Sequence, residues 1–311
     1  MPVIFAVILL FSLSIAENDV IGSIDPFAER MGAGSRALAR GNAMVADSSA
    51  FFTAYWNPGM LAFKRDISLA LHGEMRSSSR HGGAFGIEGG TGNKMGIGTA
   101  ILFRGDEKSH IYEYELGDSD STYKGYSAPF FMLSYVSLGY RISKKDGLGI
   151  SSSTIYKKFN FSKKINYAND YRSPLLFNLG WFRFWNAKWQ SGTQIRNLGF
   201  DDSRPGVFEA RVAFDAGLTH RNLLLSKPVS VSLMLFSYPK ADTLINGRFG
   251  FEMETVKNGD LRFGIDGKNP SAGLGYAFNI NGKTLFADYA IIYEWEAGQL
   301  NPLSLSLRMR F

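Results

Sequence analysis

From residue 302 to the end the chain alternates. Leu303, Leu305, Leu307, Met309 and Phe311 fall on one side of an extended strand, and Ser304, Ser306, Arg308 and Arg310 on the other. A side-chain period of two over about ten residues is the pattern of a strand with one apolar face. The pattern recurs upstream. Phe208, Ala210, Val212, Phe214 and Leu218 oppose Glu209, Arg211, Asp215 and Thr219, and Val229, Val231, Leu233 and Leu235 oppose Ser230 and Ser232. Phe249, Phe251 and Met253 face away from Arg248, Glu252 and Glu254, as Ala272, Leu274, Tyr276, Phe278 and Ile280 do from Gly273, Gly275 and Asn279. Alternation and breakers together predict strands at 66–73, 82–89, 96–104, 129–142, 147–160, 174–186, 187–198, 206–219, 227–238, 245–257, 259–267, 270–281, 283–296 and 302–311. These fourteen segments make an even count, as single-chain bacterial barrels require.

A soluble sandwich also alternates, with its apolar face turned inward. Three features favour a transmembrane antiparallel β-barrel instead. The segments approach the roughly ten residues that a tilted strand needs to cross the hydrocarbon. Trp181, Trp185, Trp189, Tyr238, Tyr293 and Trp295 fall near strand ends, where a membrane barrel places its aromatic girdles. The chain also closes an alternating strand on Phe311, which resembles the signal by which outer-membrane barrels are recognised by their assembly machinery.

Loop lengths alternate as well. With the first hairpin taken as external, the external connections are 74–81, 105–128, 161–173, 199–205, 239–244, 268–269 and 297–301. The periplasmic ones are 90–95, 143–146, 185–188, 220–226, Asn258-Gly259 and Asn281-Gly282. Long loops fall mostly outside, as barrels arrange them. Asn-Gly favours a two-residue hairpin because both residues tolerate positive φ.

Residues 17–63 do not alternate. A small-residue run from Pro26 to Ala43 leads to Asp47-Ser48-Ser49, a candidate helix N-cap, and on to Ala50-Phe51-Phe52-Thr53-Ala54-Tyr55-Trp56. The helix has to stop at Asn57, because the residue before Pro58 is pushed out of the α region, and Gly59 completes the turn. A compact insert ahead of a barrel (residues 64–311) is most economically housed in the lumen as a plug or hatch. The alternative is a periplasmic extension. Residues 1–16 read as a signal peptide: an apolar run from Val3 to Leu13, then Ser14-Ile15-Ala16 with small residues at the cleavage positions.

Composition fits this architecture. Aromatics are 14% and charged residues 20% of the chain, with Gly at 34, a mixture suited to closely spaced strands. The mean hydropathy of -0.09 excludes a polytopic helical membrane protein but not a barrel, which shows lipid only every second residue. With no cysteine there is no disulfide, thiolate metal site, cysteine nucleophile or lipoprotein anchor. The net charge of +6 comes from basic residues scattered singly or in pairs such as Lys144-Lys145, so no nucleic-acid partner is expected. His72, His81, His110 and His220 lack metal-ligand spacing, and no serine sits in a Gly-x-Ser-x-Gly turn. The chain is expected to be no enzyme, with no cofactor and no metal.

The run Gly34-Ser35-Arg36-Ala37-Leu38-Ala39-Arg40-Gly41-Asn42-Ala43-Met44-Val45-Ala46-Asp47-Ser48-Ser49-Ala50, leading to Tyr55-Trp56-Asn57-Pro58-Gly59, resembles the N-terminal signature of the PorV/PorQ-like outer-membrane proteins. Shorter echoes are Gln194-Ile195-Arg196-Asn197-Leu198-Gly199, Gly273-Leu274-Gly275-Tyr276 and Asp288-Tyr289-Ala290. One position departs: the family usually has Ala after Asn-Pro, where Gly59 stands here. The resemblance implies a fold similar to the long-chain fatty-acid transporters, with fourteen strands and an N-terminal hatch. It also implies two rival roles in the outer membrane: a type IX secretion component that binds or attaches exported cargo proteins, or a gated passage for hydrophobic small molecules.

With the apolar face toward lipid, the lumen is expected to hold Glu209, Arg211, Asp215, Arg248, Glu252, Glu254, Arg262, Asp266, Asp288, Arg308 and Arg310. Mixed signs predict cross-strand ion pairs, Asp288 with Arg310 among them. Desolvating polar groups along a path is costly, so a charged lumen favours the secretion role. A greasy ligand would meet the plug at Phe51, Phe52, Tyr55, Trp56 and Leu61, which otherwise simply pack it against the wall. The acidic loop with Asp106, Glu107, Glu113, Glu115, Asp118 and Asp120, laced with Tyr112, Tyr114, Tyr123 and Tyr126, is the expected surface for a protein partner.

Overall fold

Among the described residues, sixteen strands follow a short, mostly helical N-terminal segment. The computed structural model describes residues 32–76, 80–92, 94–105, 109–114, 121–161, 171–172, 175–199, 212–224, 227–237, 246–295 and 299–311. The plug carries α1 (Ser35–Ala39), α2 (Thr53–Trp56) and a 3-10 helix (Pro58–Phe63). Then come β1 (Ser68–Arg76), β2 (Arg80–Gly90), β3 (Met95–Gly105), β4 (Ser109–Tyr114), β5 (Ser121–Arg141), β6 (Asp146–Phe161), β7 (Tyr171–Arg172) and β8 (Leu176–Phe184). The second half supplies β9 (Trp189–Leu198), β10 (Ala213–Leu224), β11 (Lys227–Ser237), β12 (Asn246–Val256), β13 (Gly259–Asp266), β14 (Asn269–Ile280), β15 (Lys283–Glu294) and β16 (Gln299–Arg310).

Fourteen of these strands close a ring. β1 pairs with β16 on one side and β2 on the other, and β5 joins β3 to β6, so no edge is left in the barrel wall. β4 and β7 are not staves: β4 pairs only with Ser121–Ser127 of β5, and β7 with Tyr156 and Lys157 of β6. Closure matters because lipid offers no hydrogen bonds to an open strand edge. Among the described residues no helix is long and apolar enough to cross a membrane.

Register places the apolar side chains outward. Leu71 lies opposite Leu307, and these two and Leu305 are 53%, 50% and 51% exposed, so they face the surroundings and not a core. Their neighbours Ala70, His72, Ser304 and Ser306 are buried against the plug. At Asn281-Gly282 both residues have positive φ, 49° and 77°, the geometry of the favoured hairpin turn.

The expected strands recur within a few residues, with two informative differences. β5 begins at Ser121 rather than 129 and pairs there with β4, inside what reads as a loop from 105 to 128. Beyond the hydrocarbon nothing selects apolar residues at alternate positions, so the period-two signal fades while backbone pairing continues. Tyr112, Tyr114, Tyr123 and Tyr126 supply β-propensity instead. β10 runs to Leu224, which shortens the expected 220–226 connection; the expected start at 206–211 lies outside the described residues. The signal peptide, Glu209 and Arg211 also lie outside them, as do most of the acidic loop's carboxylates.

Candidate functional site

The lumen is filled by residues 32–63, and the turn Trp56-Asn57-Pro58-Gly59 anchors them. Asn57 is fully buried and extended, with φ −169° and ψ 106°. Its amide donates to the carbonyls of Val45 (2.9 Å) and Trp181 (3.0 Å), and its Oδ1 accepts from Gly59 N at 2.9 Å. One side chain thus ties two plug segments to β8. Pro58 opens the 3-10 helix, where its fixed φ suits a first helical position. A Cβ on Gly59 would lie 3.0 Å from the carbonyl oxygens of Gly147 and Gly180. The barrel wall is itself notched here, so the helix lies backbone to backbone against β5, β6 and β8.

The expected helix start at Asp47-Ser48-Ser49 does not form. α2 has only four residues and begins after Phe52, which takes the left-handed conformation with φ 58° and lacks a side-chain cap. Asp47 instead caps its own turn, accepting from Ser49 N at 2.9 Å, and faces three arginines. Arg40 pairs with one carboxylate oxygen, Arg221 reaches the other at 2.7 Å, and Arg36 stands 3.8 Å away. Burial alone would raise this carboxyl, but Arg40, Arg36 and Arg221 together hold it well below the usual carboxylate range. A carboxylate so engaged has no lone pair to spare for a helix terminus.

Most of the lumen's ion pairs lie on one side. Arg36 forks onto Glu252, with Nε and Nη2 donating at 2.7 and 2.6 Å. Arg262 donates to Glu252 (2.6 Å), Asp288 (2.7 Å) and Asp260 (2.9 Å), so an unbroken ionic chain runs from the plug into β12, β13 and β15. Beside it, Arg248 pairs with Asp266 at 2.7 Å, and Asn42 of the plug donates to the same carboxylate at 2.8 Å. Arg196 and Asp215 pair at 2.6 Å. Arg40 is buried completely and also donates to Ser232 at 2.7 Å.

The opposite wall is mainly apolar. Ala84, Ala100, Leu102, Phe131, Leu133, Tyr135, Ile155, Leu176 and Phe182 from β2 to β8 form one buried cluster with the plug's Phe52, Tyr55, Trp56 and Met60. Tyr55 meets Trp56 and Tyr135 edge-on, with ring centroids 4.8 and 5.5 Å apart. Burial pushes the Tyr55 phenol up. The main acid on this side, Glu88, is neutralised by Lys64 at 2.6 Å and accepts from Thr53 N and Oγ1.

The plug aromatics named from the sequence therefore stand in different settings. Phe52, Tyr55 and Leu61 are buried, Leu61 under the glycine-notched wall; Phe51 is half-buried at the boundary, 5.9 Å from the Arg308 guanidinium. Asp288 is paired with Arg262, not with Arg310. It stands opposite Ser306, four residues and about 13 Å along the strand from Arg310, which faces Thr284 and lies 3.7 Å from Asp66. Arg308 stacks on Phe286 at 3.8 Å. Sequence reasoning missed Arg36, Arg40 and Asp47 as the plug's ionic fasteners. The available signal was two arginines four apart on a run of small residues, with an acid seven residues further on.

Two cavities are lined by described residues. A cavity of about 20 Å³, roughly the room for one water, lies between Arg36, Phe51, Phe52, Asp288, Ser306 and Arg308. A larger one of about 290 Å³ opens where the plug leaves the barrel, beside Lys64, Arg65 and Arg141. Among the described residues no cluster of His, Asp or Glu could hold a metal ion.

The sequence matches no protein-family model and no curated protein. Solved structures do share the fold. The toluene transporter TbuX of Ralstonia pickettii matches with a TM-score of 0.61 at 10% identity, over 90% of this chain and 98% of that one. The toluene transporter TodX of P. putida gives 0.62 at 10% identity, covering 90% and 96%. CymD, a monoaromatic hydrocarbon channel, gives 0.58 at 12% identity, covering 90% and 97%. At these identities the likeness is one of fold alone: a fourteen-strand antiparallel barrel.

Proposed function

We propose that the protein is an outer-membrane conduit for hydrophobic small molecules, closed in this state by its own N-terminal plug. The observation that carries this reading is the divided lumen. A lumen charged throughout would be a poor path for a hydrocarbon, which is the reasoning that favours secretion from sequence alone. Most of the charges are instead gathered on the β9–β16 side and paired there, and on the other wall Glu88 is neutralised by Lys64, so most of the cost falls on one wall. The other wall offers alkyl groups and aromatic rings. The likeness to hydrocarbon channels supports passage over cargo binding, which rests on the PorV/PorQ resemblance of short runs alone.

On this reading the short turns face the periplasm and the long loops the outside. Phe311 is the assembly signal, outer-membrane lipid and the assembly machinery are the partners, and the protein is neither an enzyme nor cofactor-dependent. On this reading passage beside Phe51 and Phe52 requires the plug to shift, because the cavity there has room for about one water.

Uptake of radiolabelled toluene and of a long-chain fatty acid by cells with and without the protein tests this. Faster uptake with the protein, faster still when Phe52 is cut back to Ala, is the expected result. Unchanged uptake together with exported proteins retained in the deletion strain would replace this reading with secretion.

A further inference from the structure

Three of the chain's five tryptophans sit within nine residues, Trp181, Trp185 and Trp189, on β8, the turn after it and the start of β9. All three occupy outward positions: the alternate residues Phe182 and Gln190 are buried inside. Trp185 is 49% exposed, and its indole N–H donates to Ser191 at 2.9 Å, which fixes the ring against the barrel. The Arg183 guanidinium lies 4.4 Å from the centre of the same ring.

The turn between β5 and β6 stands beside this one. Phe184 N donates to the Lys145 carbonyl at 2.9 Å, and Lys145 Nζ donates to the Trp185 carbonyl at 3.3 Å. The two turns therefore bring Lys144, Lys145, Arg183 and Lys188 to one arc of the rim, against a single carboxylate, Asp146, 3.4 Å from Arg183. The β12–β13 turn, by contrast, mixes Lys257 with Glu254 and Asp260. Directly inward along the membrane normal comes an exposed apolar strip, where Leu148 pairs with Trp181 and Ile150 with Leu179.

We infer that this arc binds an anionic glycerophospholipid, its phosphate among Lys144, Lys145, Lys188 and Arg183 and its acyl chains along Leu148, Ile150 and Leu179. Outward tryptophans belong at the headgroup level of a bilayer, and cations at that level attract anionic lipid. An acidic protein would satisfy the lysines but would leave the contiguous apolar strip to ordinary lipid. The inference rests on the transmembrane reading of the barrel and is independent of what passes through the lumen.

Tryptophan fluorescence in bilayers of brominated phosphatidylcholine tests it, with unbrominated phosphatidylglycerol added. The parent is Trp295→Phe, which removes the exposed indole at the far end. Phosphatidylglycerol should displace the quencher at least about fivefold better than unbrominated phosphatidylcholine does, the factor that one cation at the surface supplies. Adding Lys144→Gln, Lys145→Gln and Lys188→Gln should bring that ratio to about one while heat-modifiable migration in gels stays intact. A ratio near one in the parent, or an unchanged ratio in the substituted barrel, overturns the site. Lysine-dependent capture of soluble polyglutamate by a parent indifferent to lipid charge overturns it in favour of an acidic protein. Absence of quenching by any brominated lipid overturns the transmembrane reading itself, a separate failure.

Discussion

Gly264 on β13 faces the lumen opposite Gly250, and the plug backbone crosses both. A methyl on Gly264 would sit against Gly41 N and the Arg40 carbonyl carbon, closer than any real Cβ approaches, and 2.7 Å from Arg40 Cα. The clash is with backbone, so no rotamer relieves it. Gly41 is itself held at φ +56°, which leaves it little room to adjust. In a strand with open space Gly→Ala stabilises by roughly 0.5–1 kcal/mol. Gly73 on β1, outward with nothing near its would-be Cβ, is such a place and serves as the control. At Gly264 overpacking costs about 1–3 kcal/mol, and the cost falls on the docked plug alone, since the barrel pairs without it. The released state should rise roughly 5- to 140-fold, at tenfold per 1.4 kcal/mol. Amide hydrogen exchange over residues 32–63, read by mass spectrometry in detergent, measures this directly. Gly264→Ala should lose plug protection and keep barrel protection; Gly73→Ala should keep both. Unchanged plug protection in Gly264→Ala, or equal loss in the two variants, would refute the idea that the plug lies backbone against wall.

Other positions give further checks. Asp47→Asn leaves Arg36, Arg40 and Arg221 facing a neutral amide and should weaken plug docking by about 3–5 kcal/mol, visible as trypsin cleavage after Arg40. Because the folded carboxyl of Asp47 is depressed, its contribution is complete above the ordinary value near 4 and is lost as pH falls below it. Plug protection from this group should therefore hold from pH 7 to about 4 and decline only in stronger acid; a transition near pH 6 would assign control to another group. Asn57→Leu strands the Val45 and Trp181 carbonyls and Gly59 N, at about 1–3 kcal/mol for each buried group, so plug exchange should quicken at both ends of the segment. Phe52→Ala should cost about 3–5 kcal/mol in packing, and Phe52→Gly should cost roughly 1 kcal/mol less, because φ 58° is strained for any residue with a Cβ. Equal losses in these two would show that the strain is negligible.

The barrel was legible because lipid imposes its own filter. Each stave must show hydrocarbon a greasy residue at every second position, so Leu303 to Met309 or Val229 to Leu235 reveal both the strand and its faces. Where that filter ends, as between Ser109 and Ser127, the strands continue unseen. The plug obeys no such period. Its fasteners join residues far apart in sequence, Arg36 with Glu252 across 216 positions, and no local pattern encodes that distance. Asp288 shows the same limit at short range. Its position in the hairpin was readable, yet its partner Arg262 lies two strands away, reached across Gly273 and Gly275 of β14, a contact that adjacent-strand register alone does not give.

Composition counts charges without saying where they stand, and it is their placement on which the proposed function rests. The inward faces of β9–β16 do carry the mixed charges that alternation predicts, and from these alone the lumen looks hostile to a hydrocarbon. Folding brings Arg36, Arg40 and Asp47 from the plug to meet them, so the ionic side becomes the surface that grips the plug. What remains opposite is held mainly by packing among Phe52, Tyr55, Trp56 and their apolar neighbours. Packing contacts are individually weak and non-directional, whereas removing one partner of a buried ion pair strands the other at a cost of several kcal/mol. A plug held by a chain of ion pairs on one side, and on the other mainly by packing with Glu88 and Asn57 as its chief polar ties, is expected to loosen first along the apolar wall, the side where a hydrophobic molecule has reason to be.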